Sequence, residues 1–206
     1  AKVMVSLPDD LLAEVDAEAR RRGSTRSGVM RDFADRALRE RRAARASAIT
    51  ALLREASAHG GGSAEQVNGH DLAVNTLLLD ASALLAAFDT EDRYHREARK
   101  IIEDLEASVA TLDLARYETV NVAIRAWQKP DLVPTLLAVI DRIDDDGGVL
   151  PSTARLIQLA ADLAVEHEIS VYDATYAAAA IDSGSRLISC DHRDLISKNL
   201  AQPPGQ

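Results

Sequence analysis

The sequence predicts an α/β protein with a parallel sheet flanked by helices, preceded by a small dimeric domain. Short apolar strands alternate with helices after residue 74, which is the pattern of a parallel sheet covered on both faces. One alternating strand and two amphipathic helices open the chain, and the glycine-rich stretch His59–Asp71 separates the two parts. We therefore expect three segments, which are residues 1–45, 46–73 and 74–206.

Composition limits the class of protein. The 206 residues carry a net charge of −9, and Cys190 is the single cysteine, so an internal disulfide and a cysteine-based zinc site are excluded. No apolar run reaches the roughly 18 residues of a membrane span, and we expect a cytoplasmic protein without a membrane partner. Charge is uneven, because residues 1–70 hold twelve Lys and Arg against ten Asp and Glu, while the rest holds twelve against twenty-three.

The head begins with a strand in which apolar side chains alternate with Lys2, Met4 and Ser6, and Pro8 ends it. Two amphipathic helices follow, divided at Gly23. So short a segment cannot bury a sufficient core alone, and a single strand has two open edges. Pairing with a second chain would form an antiparallel ribbon that fits the major groove of DNA. The alternative is a dimerisation module that does not bind DNA.

Residues 2–38 resemble a ribbon-helix-helix module of the kind found in bacterial antitoxins. The order strand, Leu-Pro, helix, Gly-x-x-Arg-Ser and helix carries the resemblance. It implies that six residues contact operator DNA, three at bases and three at a phosphate. These are Lys2, Met4 and Ser6 on the strand, and Thr25, Arg26 and Ser27 at the start of the second helix. Met4 departs from the pattern, in which the middle position is usually polar.

The helix continues beyond the head with an apolar stripe of Ile49, Leu52 and Leu53, bordered by Arg45 and Arg54. It has nothing of its own to cover, so we expect it to lie in a groove of another element. The antitoxin resemblance implies that this segment wraps the toxin partner and that Arg54 or Arg45 enters its acidic site to inhibit it. A solvent-exposed helix is the alternative. The following linker allows the segment to cover its own body or that of a neighbour.

Four acids occupy positions that a parallel sheet can bring together at one edge. Asp80 ends the first strand and Asp191 follows the last one, while Glu118 shares a helix face with Asn121. Asp173 lies in the first turn of an alanine-rich helix. Such a cluster repels itself unless Mg²⁺ or Mn²⁺ binds it. Each acid also has a simpler interpretation, as a cap or first-turn acid for three of them and as a surface residue for Glu118.

Four successive motifs resemble those of PIN-domain nucleases of the VapC type. They read LLLDASALLA, ARYETVNV, VYDATYAAAA and LISCDHRDL. The resemblance covers about residues 74–200 and implies a set of catalytic, metal-binding acids, which are Asp80, Glu118, Asp173 and Asp191. It also implies that Ser82 orients the first carboxylate or a bound water, and that Asn121 supports Glu118 or a substrate phosphate. The last motif departs slightly, because an aromatic residue often follows its acid.

Together the resemblances imply a VapBC-type toxin–antitoxin fusion. Its body would be an endoribonuclease that uses Mg²⁺ or Mn²⁺ to hydrolyse a phosphodiester of RNA. The acidic charge of the body favours a structured target such as a tRNA or rRNA loop. The tethered antitoxin segment would keep this enzyme latent, in cis or by exchange within a dimer or tetramer. The head would bind operator DNA for autoregulation.

Two other functions stay open at this point. The chain could be a DNA-binding autorepressor whose body is catalytically silent and serves assembly, or a phospho-acceptor domain built on Asp80. We interpret His95, His167 and His192 as bystanders and Asp144–Asp146 as a solvated turn. Cleavage of RNA by the body with Mg²⁺ or Mn²⁺ would separate the enzyme from the repressor.

Overall fold

The computed structural model describes residues 6–58, 76–104 and 107–206. Most of the strand predicted for the head, including Lys2 and Met4, and the glycine-rich linker lie outside the described residues. The chain forms two compact units that divide between Arg41 and Arg42, and the predicted boundary at residue 45 stays a prediction. Among the described residues, no helix combines the length and the apolar composition that crossing a membrane requires.

The first unit holds helix α1, Asp9–Arg22, and the first part of helix α2, Arg26–Ala58. α1 ends at Gly23, whose φ of 60° lies in the left-handed region that favours glycine at a helix end. α2 begins after Thr25, whose Oγ1 accepts a backbone N–H of the first turn at 3.1 Å. The helix break and the cap therefore lie where the residue types predict them.

The core of the first unit is small. Val15, Ala19 and Val29 are buried where the two helices meet. Leu11 and Phe33 remain exposed and line an apolar pocket beside this core. Apolar surface left open in so small a unit agrees with the predicted pairing of two chains.

The second unit is an α/β domain built on a sheet of four strands. Its strands are β1 Thr76–Leu79, β2 Ser108–Leu112, β3 Val149–Leu150 and β4 Arg186–Ile188. Its helices are α3 Ala81–Ala86, α4 His95–Glu103, α5 Leu114–Arg125, α6 Val133–Asp145, α7 Ala154–His167 and α8 Val171–Ser183, with a 3₁₀ turn at Pro130–Leu132 and a π-helical turn at His192–Ile196. The strand order is β3-β2-β1-β4 and each pairing is parallel, which confirms the predicted fold class.

Successive strand residues face opposite sides of the sheet, so each face has its own core. Leu79 packs with α3, α4 and α6 on one face, while its neighbour Leu78 packs with α7 and α8 on the other. Ile49 and Leu53 of α2 belong to the first of these cores and are each 1% exposed. Burial of such side chains contributes about 1.5–3 kcal/mol each. The later part of α2 is therefore a core element of the α/β domain.

Candidate active site

Asp80 lies at the carboxyl end of β1 and caps α3, and only 5% of it is exposed. Its Oδ1 accepts the Ala83 N–H at 2.8 Å and the Ser82 hydroxyl at 2.7 Å, and its Oδ2 accepts the Ser189 hydroxyl at 2.6 Å. Burial, together with the charge of Asp173, raises the pKa of Asp80 to about 6, although these hydrogen bonds lower it. Asp80 therefore caps α3 and also lies near another acid of the predicted set.

Two hydroxyls connect the end of β1 to the chain that follows β4. The Ser82 hydroxyl donates to Asp80 and accepts the N–H of Cys190 at 2.8 Å. The Ser189 hydroxyl donates to Asp80 and accepts the N–H of Asp191 at 2.9 Å. These contacts hold the Asp80 carboxylate and the Asp191 backbone at the same edge of the sheet. Ser82 thus contacts the first carboxylate, and its role in the chemistry stays a prediction.

Glu118 lies on α5 and is partly buried. Its Oε2 accepts the hydroxyl of Tyr176, on α8, at 2.7 Å. Burial raises the pKa of Glu118, the Tyr176 hydrogen bond opposes this, and the charges of Asp80 and Asp173 raise it further. Glu118 is therefore not the surface residue of the simpler interpretation, because it interacts with two other acids of the predicted set.

Asp173 lies in the first turn of α8 and exchanges hydrogen bonds with the capping residue Ser170. Its N–H donates to Ser170 Oγ at 3.1 Å, and the Ser170 hydroxyl donates to its Oδ2 at 2.7 Å. Burial raises the pKa of Asp173, as do the nearby charges of Asp191 and Asp194, while Arg193 lowers it. Asp173 therefore lies at the N-terminus of α8 and also interacts with other acids at this edge of the sheet.

Asp191 caps the π-helical turn through its Oδ1, which accepts the N–H groups of Arg193 at 2.8 Å and Asp194 at 3.0 Å. One carboxylate oxygen each from Asp173, Asp191 and Asp194 lie within 4.8 Å of one another. Asp194 also pairs with Arg193, which lowers its pKa. Asp194 was not among the residues predicted from the sequence, although its position three residues after Asp191 in the same motif is a usable signal.

The predicted acids therefore meet at the carboxyl edge of the sheet, and a fifth joins them. We call this cluster the acid pit, consisting of Asp80, Glu118, Asp173, Asp191 and Asp194. Asp173 interacts electrostatically with each of the other four carboxylates, so it connects Asp80 and Glu118 to Asp191 and Asp194. Carboxylate oxygens are the ligands that hard divalent cations prefer, and mutual repulsion would be relieved by such an ion. The donor set fits Mg²⁺ or Mn²⁺.

Apart from the two arginines of α2, the remaining predicted residues that the structure describes lie at the surface. Asn121 is exposed on α5, one turn beyond Glu118. In the first unit, Ser6 and the residues at the start of α2 are also exposed. Among these, Thr25 caps α2, Arg26 forms an ion pair with Asp16, and Ser27 follows. Their contacts with DNA stay predictions.

Arg45 is buried at the opposite edge of the sheet. Its Nη2 donates to the carbonyl oxygen of Ala107, just before β2, at 2.7 Å, and its Nη1 pairs with Asp146 at 3.2 Å. The strands are parallel, so the start of β2 lies away from the edge where Asp80 follows β1. Contrary to our expectation, Arg45 therefore does not enter the acid pit, and Asp146 is an anchor rather than part of a solvated turn. Arg54 is exposed on α2, and its inhibitory role stays a prediction.

Both units are similar to known families. The model of the PIN domain family matches residues 77–198, and that of ribbon-helix-helix proteins of the copG family matches residues 1–41. Ribonuclease VapC3 of Pyrobaculum aerophilum is 32% identical over 121 residues, which cover 57% of this chain and 90% of the relative.

Two solved structures are also similar. PAE2754 from Pyrobaculum aerophilum has 27% sequence identity and a TM-score of 0.46, and the match covers 63% of this chain and 90% of that chain. Mycobacterium tuberculosis VapC20, described as a toxin that cleaves the sarcin-ricin loop, has 22% identity and a TM-score of 0.47, covering 57% and 91%. From the family matches and the curated relative, the chain belongs to the PIN domain family and, with a ribbon-helix-helix domain on its N-terminal side, has the organisation of a VapBC-type toxin–antitoxin fusion.

Proposed function

We propose that the chain is a metal-dependent endoribonuclease kept latent by its own antitoxin segment, with a head that binds operator DNA. The acid pit is the observation that carries the nuclease proposal, because it collects five carboxylates at the sheet edge where such folds bind ligands. The PIN family match and the similarity to a protein named as a ribonuclease support RNA as the substrate.

Asp80 and Asp173 are the residues proposed to hold Mg²⁺ or Mn²⁺ most directly, and Asp191 and Asp194 each have a carboxylate oxygen within 4.8 Å of one from Asp173. When bound, the cation supplies Lewis acidity toward the phosphate. Glu118 is proposed to complete this metal site from α5 and to orient the attacking water there, because its partly buried carboxylate interacts with both Asp80 and Asp173. The serine hydroxyls on Asp80 keep that carboxylate in one orientation. His192 and Arg193 are exposed beside the pit, where the arginine can contact an RNA phosphate.

Inhibition is proposed to depend on the later part of α2, which packs in the core of the α/β domain. Ile49 and Leu53 are buried there, and Arg45 forms the ion pair that anchors the helix. Arg54 lies about two and a half turns beyond Arg45, about 14 Å along the helix axis, and remains the arginine proposed to act on the acid pit. A tether keeps this segment at high effective concentration, so the intact chain is expected to be latent.

A cleavable linker tests both parts of this proposal. A protease recognition site is inserted within residues 60–63, and RNA cleavage with Mg²⁺ or Mn²⁺ is measured before and after proteolysis and on dilution. We expect activity only after proteolysis, rising as dilution releases the segment, and loss of that activity with Asp80→Asn or Asp173→Asn. Asp162→Asn, at an exposed position of α7, is the matched control.

Each outcome separates one part of the proposal from the other. Full activity of the intact chain would contradict inhibition while leaving the nuclease intact. A released domain that binds Mn²⁺ and cleaves no RNA substrate offered, including tRNA and rRNA, would contradict the nuclease.

DNA binding with a catalytically silent body is a second candidate, favoured by the family match of residues 1–41 and the exposed start of α2. The full chain, as a dimer or tetramer, is expected to retain a palindromic segment from upstream of its own gene in a salt-sensitive way. Lys2→Ala should weaken this retention. Unchanged retention in that variant would contradict the assignment of the strand to the groove.

A further inference from the structure

We infer that Tyr176 is a positioning residue that fixes the Glu118 carboxylate for metal binding in the acid pit. The inference rests on the proposed function and adds a residue to it. The observation behind it is a hydrogen bond of 2.7 Å from the Tyr176 hydroxyl to Glu118 Oε2, between α8 and α5.

The hydroxyl of Tyr176 is not needed for packing. The side chain is 2% exposed and belongs to the core that α7 and α8 form against the sheet, where a phenylalanine ring would fill the same space. Burying a hydroxyl costs stability unless it forms hydrogen bonds. This one donates to Glu118, and the backbone N–H of Ala81 lies close enough to it to influence its pKa. That N–H belongs to the first turn of α3, where helix donors otherwise lack partners.

The position of the hydroxyl links three elements that each carry an acid. Tyr176 and Asp173 are three residues apart and share a face of α8. Ala81 directly follows Asp80, and Glu118 lies on α5. The hydroxyl therefore holds one oxygen of Glu118 against α8, the helix that carries Asp173, which restricts rotation of the Glu118 carboxylate. Partners that orient a metal ligand in this way typically change metal affinity by about 10- to 100-fold when removed.

The test is a Mn²⁺ titration of the full chain by calorimetry, with Tyr176→Phe, Glu118→Gln and the double variant. We expect Tyr176→Phe to weaken Mn²⁺ binding about 10- to 100-fold, and to have no further effect in the Glu118→Gln background. Tyr117→Phe is the matched control, since Tyr117 is 76% exposed on α5. Urea unfolding without metal measures the structural cost of each substitution separately.

Wild-type affinity in Tyr176→Phe, or an equal loss in the Glu118→Gln background, would overturn the inference. A wild-type chain that binds no Mn²⁺ either before or after cleavage of the linker would instead overturn the proposed function together with it. If Tyr176→Phe does not fold, the ¹⁹F spectrum of the 3-fluorotyrosine-labelled chain gives a second test. The ¹⁹F chemical shift of Tyr176 should change when Mg²⁺ is added to wild type and should not change in Glu118→Gln. A shift that does not change with Mg²⁺ in wild type would refute the positioning role.

Discussion

Replacing Asp80 with asparagine should stabilise the metal-free protein while removing metal binding. Asp80 is 5% exposed, and burial raises its pKa from 3.8 to about 6. Each tenfold change in an ionisation equilibrium is worth about 1.4 kcal/mol, so ionised Asp80 costs the folded state about 3 kcal/mol. Asparagine cannot ionise and avoids this cost.

The hydrogen bonds around Asp80 offset part of the gain. An asparagine oxygen still accepts the Ala83 N–H and the Ser82 hydroxyl, as Asp80 Oδ1 does. On the other side, an amide N–H replaces the acceptor of the Ser189 hydroxyl, which must turn toward Ser82 Oγ at 3.3 Å. We assign about 1 kcal/mol to this rearrangement. The expected net stabilisation at pH 8 is about 2 kcal/mol.

The stability difference between Asp80→Asn and the wild type should depend on pH. Below about pH 4, Asp80 is protonated in both folded and unfolded states, and the variant has no electrostatic advantage. Between pH 4 and 6 the unfolded state ionises first, so the wild type loses stability as pH rises, and the loss is complete above the folded-state pKa. The advantage of Asp80→Asn should therefore grow over this window and stay constant at higher pH.

Fluorescence of Trp127 provides the assay, because it is the single tryptophan and lies in the second unit. Thermal unfolding with EDTA should show a midpoint about 4–8 °C higher for Asp80→Asn at pH 8. Saturating Mn²⁺ should reverse the order, since an ion at 100 times its Kd adds about 2.7 kcal/mol to the wild type alone. A variant less stable than wild type at pH 8 with EDTA, or a difference unchanged from pH 4 to 8, would refute the reasoning.

Three further substitutions test other contacts. Ser189→Ala removes a donor to Asp80 and should weaken Mn²⁺ binding by about tenfold in calorimetry, and wild-type affinity would contradict its orienting role. Asp194→Asn should also weaken Mn²⁺ binding, whereas Asp162→Asn should not, and equal effects would exclude Asp194 from the site. Arg45→Met removes the buried partner of the Asp146 carboxylate and should lower the free energy of unfolding by about 2 kcal/mol in urea. Arg54→Met, at an exposed position of the same helix, is the control. A cost below about 0.5 kcal/mol would contradict the role of Arg45 as an anchor.

The elements of this fold could be predicted from local patterns. Apolar strands such as Thr76–Leu79 end at an acid, and the alanine-rich segment Val171–Ser183 forms the predicted helix α8. These features depend on residues within a few positions of one another, which periodicity and capping reflect directly. The parallel arrangement then predicts that Asp80 and the chain after β4 share an edge, as the structure shows.

The supporting contacts could not be predicted in the same way. The hydroxyl of Ser189 bonds to an acid 109 residues earlier in the chain, and Tyr176 bonds to an acid 58 residues earlier. Arg45 illustrates the opposite error, because the antitoxin resemblance implied an inhibitory role while its partner lies 101 residues away. Residue type and spacing carry no signal for such pairs, since each depends on how two separate elements pack.

The sequence by itself determined the order of strands and helices, the two-part organisation and the positions of four acids, because these follow from local periodicity and from strand ends. The tertiary structure alone decided that Asp194 joins them, that Arg45 does not, and that buried hydroxyls hold Asp80 and Glu118. It also decided the raised pKa values of Asp80, Glu118 and Asp173. Desolvation and charge repulsion depend on distances in space, and folding sets those distances.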